Sequence, residues 1–307
     1  MNICVVLVTF NRKADLEKSL ALYEQQTYPP KTILVVDNHS TDGTAEMLAE
    51  WQKAQTTIEH RVRTMSENVG GSGGFYAGME EALTYENCDW IFVSDDDAMP
   101  HLDALEQIDS FTQRHAELAA TCSALCGVVD AGDHFAVGHR ARIHKGSPIG
   151  QVDRPVDEKE YKKEYFPVDF FSYIGTCIRK SALEKAGLTR KEFFIYSDDF
   201  EHALRVGKQG KMLCIPACVL CHMDNNSYSS DASWRDYYAT RNVLIMYREH
   251  FGAFAAFRRG CMRRYTGLRS GNSLKRKVIA DAIRDAKKGV TGLHPVYRPG
   301  WNPTQPK

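Results

Sequence analysis

A chain of 307 residues that is 43% hydrophobic and 25% charged has the composition of a globular protein able to bury a sizeable core. Its 39 basic and 39 acidic side chains cancel, which excludes binding to nucleic acid through bulk charge. No apolar run approaches the ~18 residues of a bilayer span, and the apolar opening is too short for a secretory leader, so a protein of the cytoplasm is expected.

In chain order, the near-continuous apolar run 3–8 predicts a buried parallel strand. Residues 11–25 follow as a helix, with Leu16, Leu20 and Tyr23 at helical spacing and Pro29 and Pro30 stopping it. A second strand is expected over 32–36. Ser40, Thr41, Asp42 and Gly43 then supply cap and turn chemistry before a helix carrying Met47, Leu48 and Trp51. A strand over 58–64, a helix marked by Phe75, Met79 and Leu83, and a strand over 90–93 complete the alternation. Strands and helices in strict alternation predict an α/β fold with a doubly wound parallel sheet.

The pattern then loosens. Residues 130–167 are polar and aperiodic, as in a long excursion that carries binding groups. Strands are expected at 168–178, 193–196 and 212–221, with a short helix closing at Gly187 and another over 199–208. From Ser233, with Asp236 three residues on as in a capping box, the chain turns helical. It ends in a tail containing Pro295, Pro299, Pro303 and Pro306. The division is therefore 1–232, the α/β domain, and 233–307, a helical extension with a proline-rich tail. Between Arg258 and Lys288, eleven Lys and Arg stand against Asp281 and Asp285, so this stretch carries +9 and the remainder −9. Such a segment is suited to an anionic surface, a solvated helical face being the alternative.

Nine cysteines, an odd number without framework spacing, indicate reduced thiols. Cys214, Cys218, Cys221 and His222 are close in sequence. A structural zinc site would need a second knuckle, for which only Cys122 and Cys126 offer themselves, so small buried thiols are the simpler reading.

Five places in the chain carry chemistry. Asp95, Asp96 and Asp97 follow a strand, where open α/β sheets bind ligands. Three adjacent carboxylates repel unless a cation such as Mg²⁺ or Mn²⁺ neutralises them, and that cation also bridges to a diphosphate. The alternative is a solvated loop with one helix cap. Asp37 ends another strand, suited either to a base N–H or ribose hydroxyl or to a turn. The glycine cluster from Asn68 to Gly78 precedes a helix, allowing close backbone approach and an anion at the helix start, yet it is not a dinucleotide fingerprint. Asp198 and Asp199 open a helix, either as a general base with its neighbour or as caps, and His222 follows an apolar run as a further metal ligand or a structural residue.

In this order the motifs resemble an inverting family-2 glycosyltransferase of the GT-A fold, in the branch of bacterial galactofuranosyl- and rhamnosyltransferases. The resemblance covers about residues 1–250 and rests on the segments 8–12, 36–44, 68–75, 95–97 and 193–205, with His222. It implies that Thr9 and Asp37 contact the nucleoside of a UDP- or dTDP-sugar. Asn11, Arg12, Asn68, Gly70, Gly71 and Gly73 would complete the donor site, and Asp96 would lie near the ribose or sugar. Asp95, Asp97 and His222 would hold Mn²⁺ or Mg²⁺. Asp199 would deprotonate the acceptor hydroxyl, with Asp198 as its acidic neighbour. His39 stands where the motif commonly has glycine, and Tyr196 where it commonly has Trp. The expected activity is transfer of galactofuranose to a glycan or lipid-linked acceptor in envelope polysaccharide synthesis, with rhamnose as the alternative sugar. From other classes, a nucleotidyltransferase would want a glycine-rich basic loop after the first strand, where Thr9 to Arg12 stand instead. A non-catalytic nucleotide-sugar-binding subunit would not need both acidic clusters.

Overall fold

The computed structural model describes residues 1–54, 56–144, 152–222 and 231–302. Strand β1 (Ile3–Thr9), helix α1 (Lys13–Glu24), β2 (Thr32–Asp37), α2 (Thr44–Trp51), β3 (Glu59–Thr64), α3 (Gly70–Ala82) and β4 (Trp90–Asp95) realise the alternation expected from the sequence. β3, β2, β1 and β4 lie side by side and parallel.

Both sheet faces are covered along β1, β2 and β4, which is why these three are apolar over most of their length, whereas β3 at the sheet edge is largely polar. Val6, Leu34, Val36 and Val93 point to the layer of α3, against Phe75, Met79 and Ala82. Val5, Leu7, Val35 and Phe92 point the other way, to Leu16, Leu20 and Tyr23 of α1. Each such side chain contributes about 1.5–3 kcal/mol on burial.

Beyond β4 come β5 (Met99–Pro100), α4 (Ala104–Arg114), α5 (Ala116–Ala120), β6 (Cys122–Asp130), β7 (Arg140–Ile143), β8 (Asp153–Pro155), β9 (Phe166–Pro167), β10 (Phe170–Phe171), β11 (Thr176–Arg179), α6 (Lys180–Ala186), α7 (Asp198–Val206) and β12 (Lys211–Cys221). β11 enters the sheet between β4 and β6, antiparallel to both, so the sheet is mixed. β12 runs parallel to β6, its pairing interrupted between Cys214 and Val219, where Pro216 stands. The excursion after β6 folds partly into a small sheet of order β10–β7–β8; residues 145–151 of it lie outside the described residues. Its anchor is Arg140, 1% exposed, whose guanidinium donates to the carbonyls of Gly127 (2.8 Å), His139 (2.8 Å) and Ile174 (2.6 Å).

Helices α8 (Trp234–Phe251), α9 (Ala253–Arg269) and α10 (Ser273–Lys288) close the chain. Ser233 and Asp236 form the expected capping box at the start of α8. Residues 243–247 share a core with Phe170 and Phe193, and Val278, Ala282, Tyr237 and Tyr238 pack around Phe194. Among the described residues no helix is long and apolar enough to cross a membrane.

Three sequence expectations differ from the fold. The single strand over 168–178 is two short pieces, separated by a turn at Gly175 with φ +66°. The strand over 193–196 is the end of a 3₁₀ turn (Lys191–Phe193) followed by left-handed residues, because its apolar side chains fill a gap beneath α8 and pair with no strand. The proline-rich tail is docked as far as the described residues reach. Tyr297 is 4% exposed, its hydroxyl donating to Asp281 (2.7 Å) and its carbonyl accepting from Tyr238 (2.8 Å). Pro303 and Pro306 lie outside the described residues.

Candidate active site

Parallel pairing brings the acidic motifs together. Thr9 lies opposite Asp37, and Val8 opposite Asp95, so β1, β2 and β4 release their last residues at one sheet edge. Cys221 pairs with Met99, which delivers His222 beside the same loop. The edge opens into a cleft of about 960 Å³. Thr9, Arg12, Asn68, Gly70 and Gly71 border it, as do Asp95, Asp96, Asp97, Asp198, Asp199 and His222.

Asn11, Asp37 and Gly73 do not border it. Asn11 ties two loops, its Oδ1 accepting the Thr41 N–H at 2.7 Å. Asp37 is 1% exposed and accepts the Ser40 N–H at 3.0 Å, while its Oδ2 has no hydrogen-bond partner among the described residues. At Gly73 an added Cβ would meet Val69 Cγ2 at 2.6 Å, so that glycine serves the packing of its own helix turn. The glycine cluster therefore divides. Gly78 lets α3 lie on β1, where a Cβ would stand 2.4 Å from Val6 Cγ1. Gly70, at φ +75°, faces the cleft, and a Cβ there would come 2.1 Å from the Phe194 carbonyl oxygen.

Arg12 is the cation nearest the first acidic run. Its Nη1 donates to Asp96 Oδ1 at 3.2 Å and also contacts Asp97 Oδ2. Asp97 Oδ1 lies 3.3 Å from His222 Nε2. Burial, then repulsion from Asp97, pushes Asp95 up to about 6. Burial pushes Asp96 up to about 7 against the lowering effects of Thr9 and Arg12. Asp97 is held below the ordinary carboxylate range: burial opposes this, but the His222 hydrogen bond and Arg12 prevail.

These residues suit a hard divalent cation. The donor set is carboxylate oxygen and imidazole, and the three acids crowd one another with a single guanidinium among them. No three-ligand set containing Asp95 closes to within 4.8 Å among the described residues. A cation that takes its remaining ligands from diphosphate and water does not need one. The set that does close, Glu201, Glu249 and His250, is a charged lattice away from the cleft, where Glu201 accepts from Arg205 (2.8 Å) and pairs with His250 (3.0 Å). The zinc alternative does not assemble among the described residues, since Cys214 and Cys218 are fully buried thiols in the sheet.

Across the cleft, α7 presents Asp198 and Asp199 in its first turn. Burial raises Asp198 to about 6 and, with Asp198 beside it, raises Asp199 well above the ordinary range. The preceding loop holds Phe194, Tyr196 and Ser197 at φ 66°, 68° and 64°, conformations that cost about 1–3 kcal/mol each for non-glycine residues. Two buried side chains of α8 sustain it. The Asn242 amide donates to the carbonyls of Phe193 (2.9 Å), Ile195 (2.8 Å) and Tyr196 (3.0 Å). Arg241 donates to Phe193 O (3.3 Å) and Gly292 O (2.7 Å).

Sequence reasoning missed Asn242, and it missed Asn38, whose amide donates to Gly70 O (3.0 Å) while its Oδ1 accepts the Val69 N–H (3.0 Å). Asn38 adjoins Asp37 and was within reach of the motif. Asn242 had one faint signal, a polar pair preceding the apolar run 243–247 within a single helix. Trp234, Arg235, Pro299 and Gly300, from the helical extension, also border the cleft.

Comparison with known proteins agrees with this geometry. The chain is 37% identical over 224 residues to galactofuranosyltransferase GlfT1 of Mycobacterium tuberculosis, covering 71% of this chain and 69% of that protein. To GlfT1 of Mycolicibacterium smegmatis it is 32% identical over 209 residues, covering 68% of this chain and 66% of the relative, just under two thirds of the latter's length. An N-acetylglucosaminyl-diphospho-decaprenol L-rhamnosyltransferase of M. tuberculosis is 23% identical over 320 residues, covering 94% of this chain and 98% of the relative. In fold, the chain is similar to GalNAc-T7 solved with UDP, GalNAc and Mn²⁺, at TM-score 0.66 and 14% identity, covering 94% of this chain and 56% of that one. The family profile "Glycosyl transferase family 2" matches residues 4–187, more than half of the length, and the chain belongs to that family.

Proposed function

We propose that the protein transfers one sugar, galactofuranose in the favoured reading, from a UDP- or dTDP-sugar to a glycan or lipid-linked acceptor, inverting the anomeric centre. The observation that carries this is the opposition of two acidic groups across one cleft: Asp95, Asp96 and Asp97 at a strand end, and Asp198 and Asp199 at a helix start. One group suits the donor diphosphate and the other suits proton removal.

In this reading Thr9, Asn11, Arg12 and Asp37 form the nucleoside side of the donor site, Asp37 through the loop it braces. Asn68, Gly70, Gly71 and Gly73 shape the wall at the start of α3, and Asp96 approaches the ribose or sugar. Mn²⁺ or Mg²⁺, held by Asp95, Asp97 and His222, would supply charge stabilisation for the departing diphosphate. Asp199 accepts the acceptor's hydroxyl proton, and its raised proton affinity makes it a stronger base than an ordinary carboxylate. Asp198 sustains that affinity by like-charge repulsion. A single displacement needs no covalent enzyme intermediate.

We also propose that the division at residue 232 is one of role, residues 233–307 serving as the platform of the Asp199 loop, and that the enzyme works in the cytoplasm at the inner face of the membrane. Rhamnose is the second reading, favoured by the match that runs almost end to end along the rhamnosyltransferase. The test is release of nucleotide diphosphate from a panel of nucleotide sugars, with product configuration read by NMR. Release from UDP-galactofuranose alone supports the first reading and release from dTDP-rhamnose alone the second. Release from neither overturns both.

A further inference from the structure

Helix α9 is built inside out. Phe254 (72% exposed), Phe257 (60%), Tyr265 (59%) and Leu268 (61%) are its large apolar residues in solvent, and the exposed Cys261 stands among them. The intervals 254, 257, 261, 265 and 268 are three or four residues, so all five lie on one stripe. No other large apolar side chain among the described residues exceeds 48% exposure, so the exposed apolar surface is concentrated here.

The side turned to the protein is glycine and arginine: Gly260, Gly267 and Arg259, which is 7% exposed with its guanidinium over Tyr247 (5.5 Å). A Cβ at Gly260 would stand 3.8 Å from Leu244, and one at Gly267 would stand 3.1 Å from Ile279 Cδ1. A helix that merely covers a core has the reverse pattern. Charge sharpens the point, because α9 holds five arginines and no acid. At 100° per residue Arg258 and Arg269 flank one side of the stripe and Arg264 the other, with the guanidinium of Arg258 over Phe254 (5.7 Å) and that of Arg269 over Tyr265 (5.9 Å).

We infer that α9 is a docking surface for an anionic lipid bilayer, its aromatic stripe entering the interface and its flanking arginines meeting the headgroups. The combination of rings and arginines on one helical face suits such an interface. A second copy of the chain is a poorer occupant, since a two-fold contact would bring arginine against arginine. The inference rests on the proposed function only in supposing an acceptor at a membrane, and α9 contributes nothing to the cleft.

The experiment is flotation of the full chain with vesicles of phosphatidylcholine alone or mixed with phosphatidylglycerol, at low and high salt. Binding is expected to the mixed vesicles only, weakening as salt shortens the Debye length from about 10 Å to about 3 Å. A variant combining Arg258→Gln, Arg264→Gln and Arg269→Gln is expected to bind about 100-fold more weakly, at about five-fold per arginine. Combining Phe254→Ser, Phe257→Ser and Leu268→Ser is expected to cost roughly ten-fold for each side chain. Donor hydrolysis and the melting temperature should be unchanged in both.

No binding to mixed vesicles at low salt, equal binding to neutral ones, or equal binding of parent and variants overturns the inference. So does a concentration-dependent dimer that the apolar variant abolishes, which would assign the face to a second copy. Turnover without vesicle binding removes the docking surface alone. Vesicle binding without turnover removes the transferase reading alone.

Discussion

At the scale of single residues, the site is a set of carboxylates most of which resist ionisation through burial first and one another's charge second, Asp97 being held low by His222 and Arg12. Asp198 is held near 6, above its unfolded value of about 3.8, so its stabilising contribution is complete below that value and lost as pH rises through 6. Asp198→Asn removes this penalty. It is expected to stabilise the metal-free protein by up to about 3 kcal/mol at pH 8 and by nothing in acid, read as melting temperature against pH. The same change takes repulsion from Asp199, so the acid limb of kcat/KM should move to lower pH. Asp199→Asn keeps shape but removes the base, and turnover is expected to fall by about 10²–10⁴ with donor affinity retained. Loss of donor binding in calorimetry would move Asp199 to the donor site. Asp97→Ala should abolish metal-dependent donor binding and leave the circular dichroism spectrum intact, and full activity in excess chelator would dispose of the metal assignment.

At the scale of elements, the loop before α7 depends on a helix from the far end of the sequence. Asn242 holds three of its carbonyls, while the local backbone adds only short-range bonds such as Phe194 N–H to Lys191 O (3.2 Å) and Ile195 N–H to Phe193 O (2.8 Å) among those described. Asn242→Ala should cost about 1–3 kcal/mol of stability, the range for buried groups stripped of their partner. Turnover should fall further than donor affinity, because the loop carries Asp199 and not the donor motifs. Equal loss in both would mean that Asn242 supports the whole cleft. This loop also explains the failed strand expectation over 193–196. Its apolar run is real, and the burial it signals is against α8 and α10.

At the scale of the whole molecule, the helical extension and the α/β domain share two cores. Phe170, Phe193, Phe194 and Leu204 lose their cover if the chain ends at 232. Their burial contributes about 6–12 kcal/mol together, comparable to the about 5–15 kcal/mol that holds a typical domain. Truncation at 232 is therefore expected to give insoluble or molten protein by near-UV circular dichroism. A soluble, cooperatively melting fragment would show that the α/β part folds alone. The basic stretch from Arg258 to Lys288 is itself divided in burial. In α10, Val278, Ile279, Ala282 and Ile283 are buried, while α9 turns its rings outward.

What the sequence determined by itself was whatever short-range periodicity and local chemistry encode. The doubly wound start was legible because β1, β2 and β4 are apolar at positions facing both covered layers. The acidic runs were legible because parallel strands that start in register end together, so Asp37 and Asp95 had to arrive at one edge. The tertiary structure alone decided the rest. It inserted β11 antiparallel, turned Gly73 and Gly78 to packing while leaving Gly70 to the cleft, and made Asn242 the brace of a loop that ends 44 residues before it at Asp198. The physical reason is that a buried amide or a bare glycine takes its role from the atoms that reach it, and those atoms lie far away along the chain.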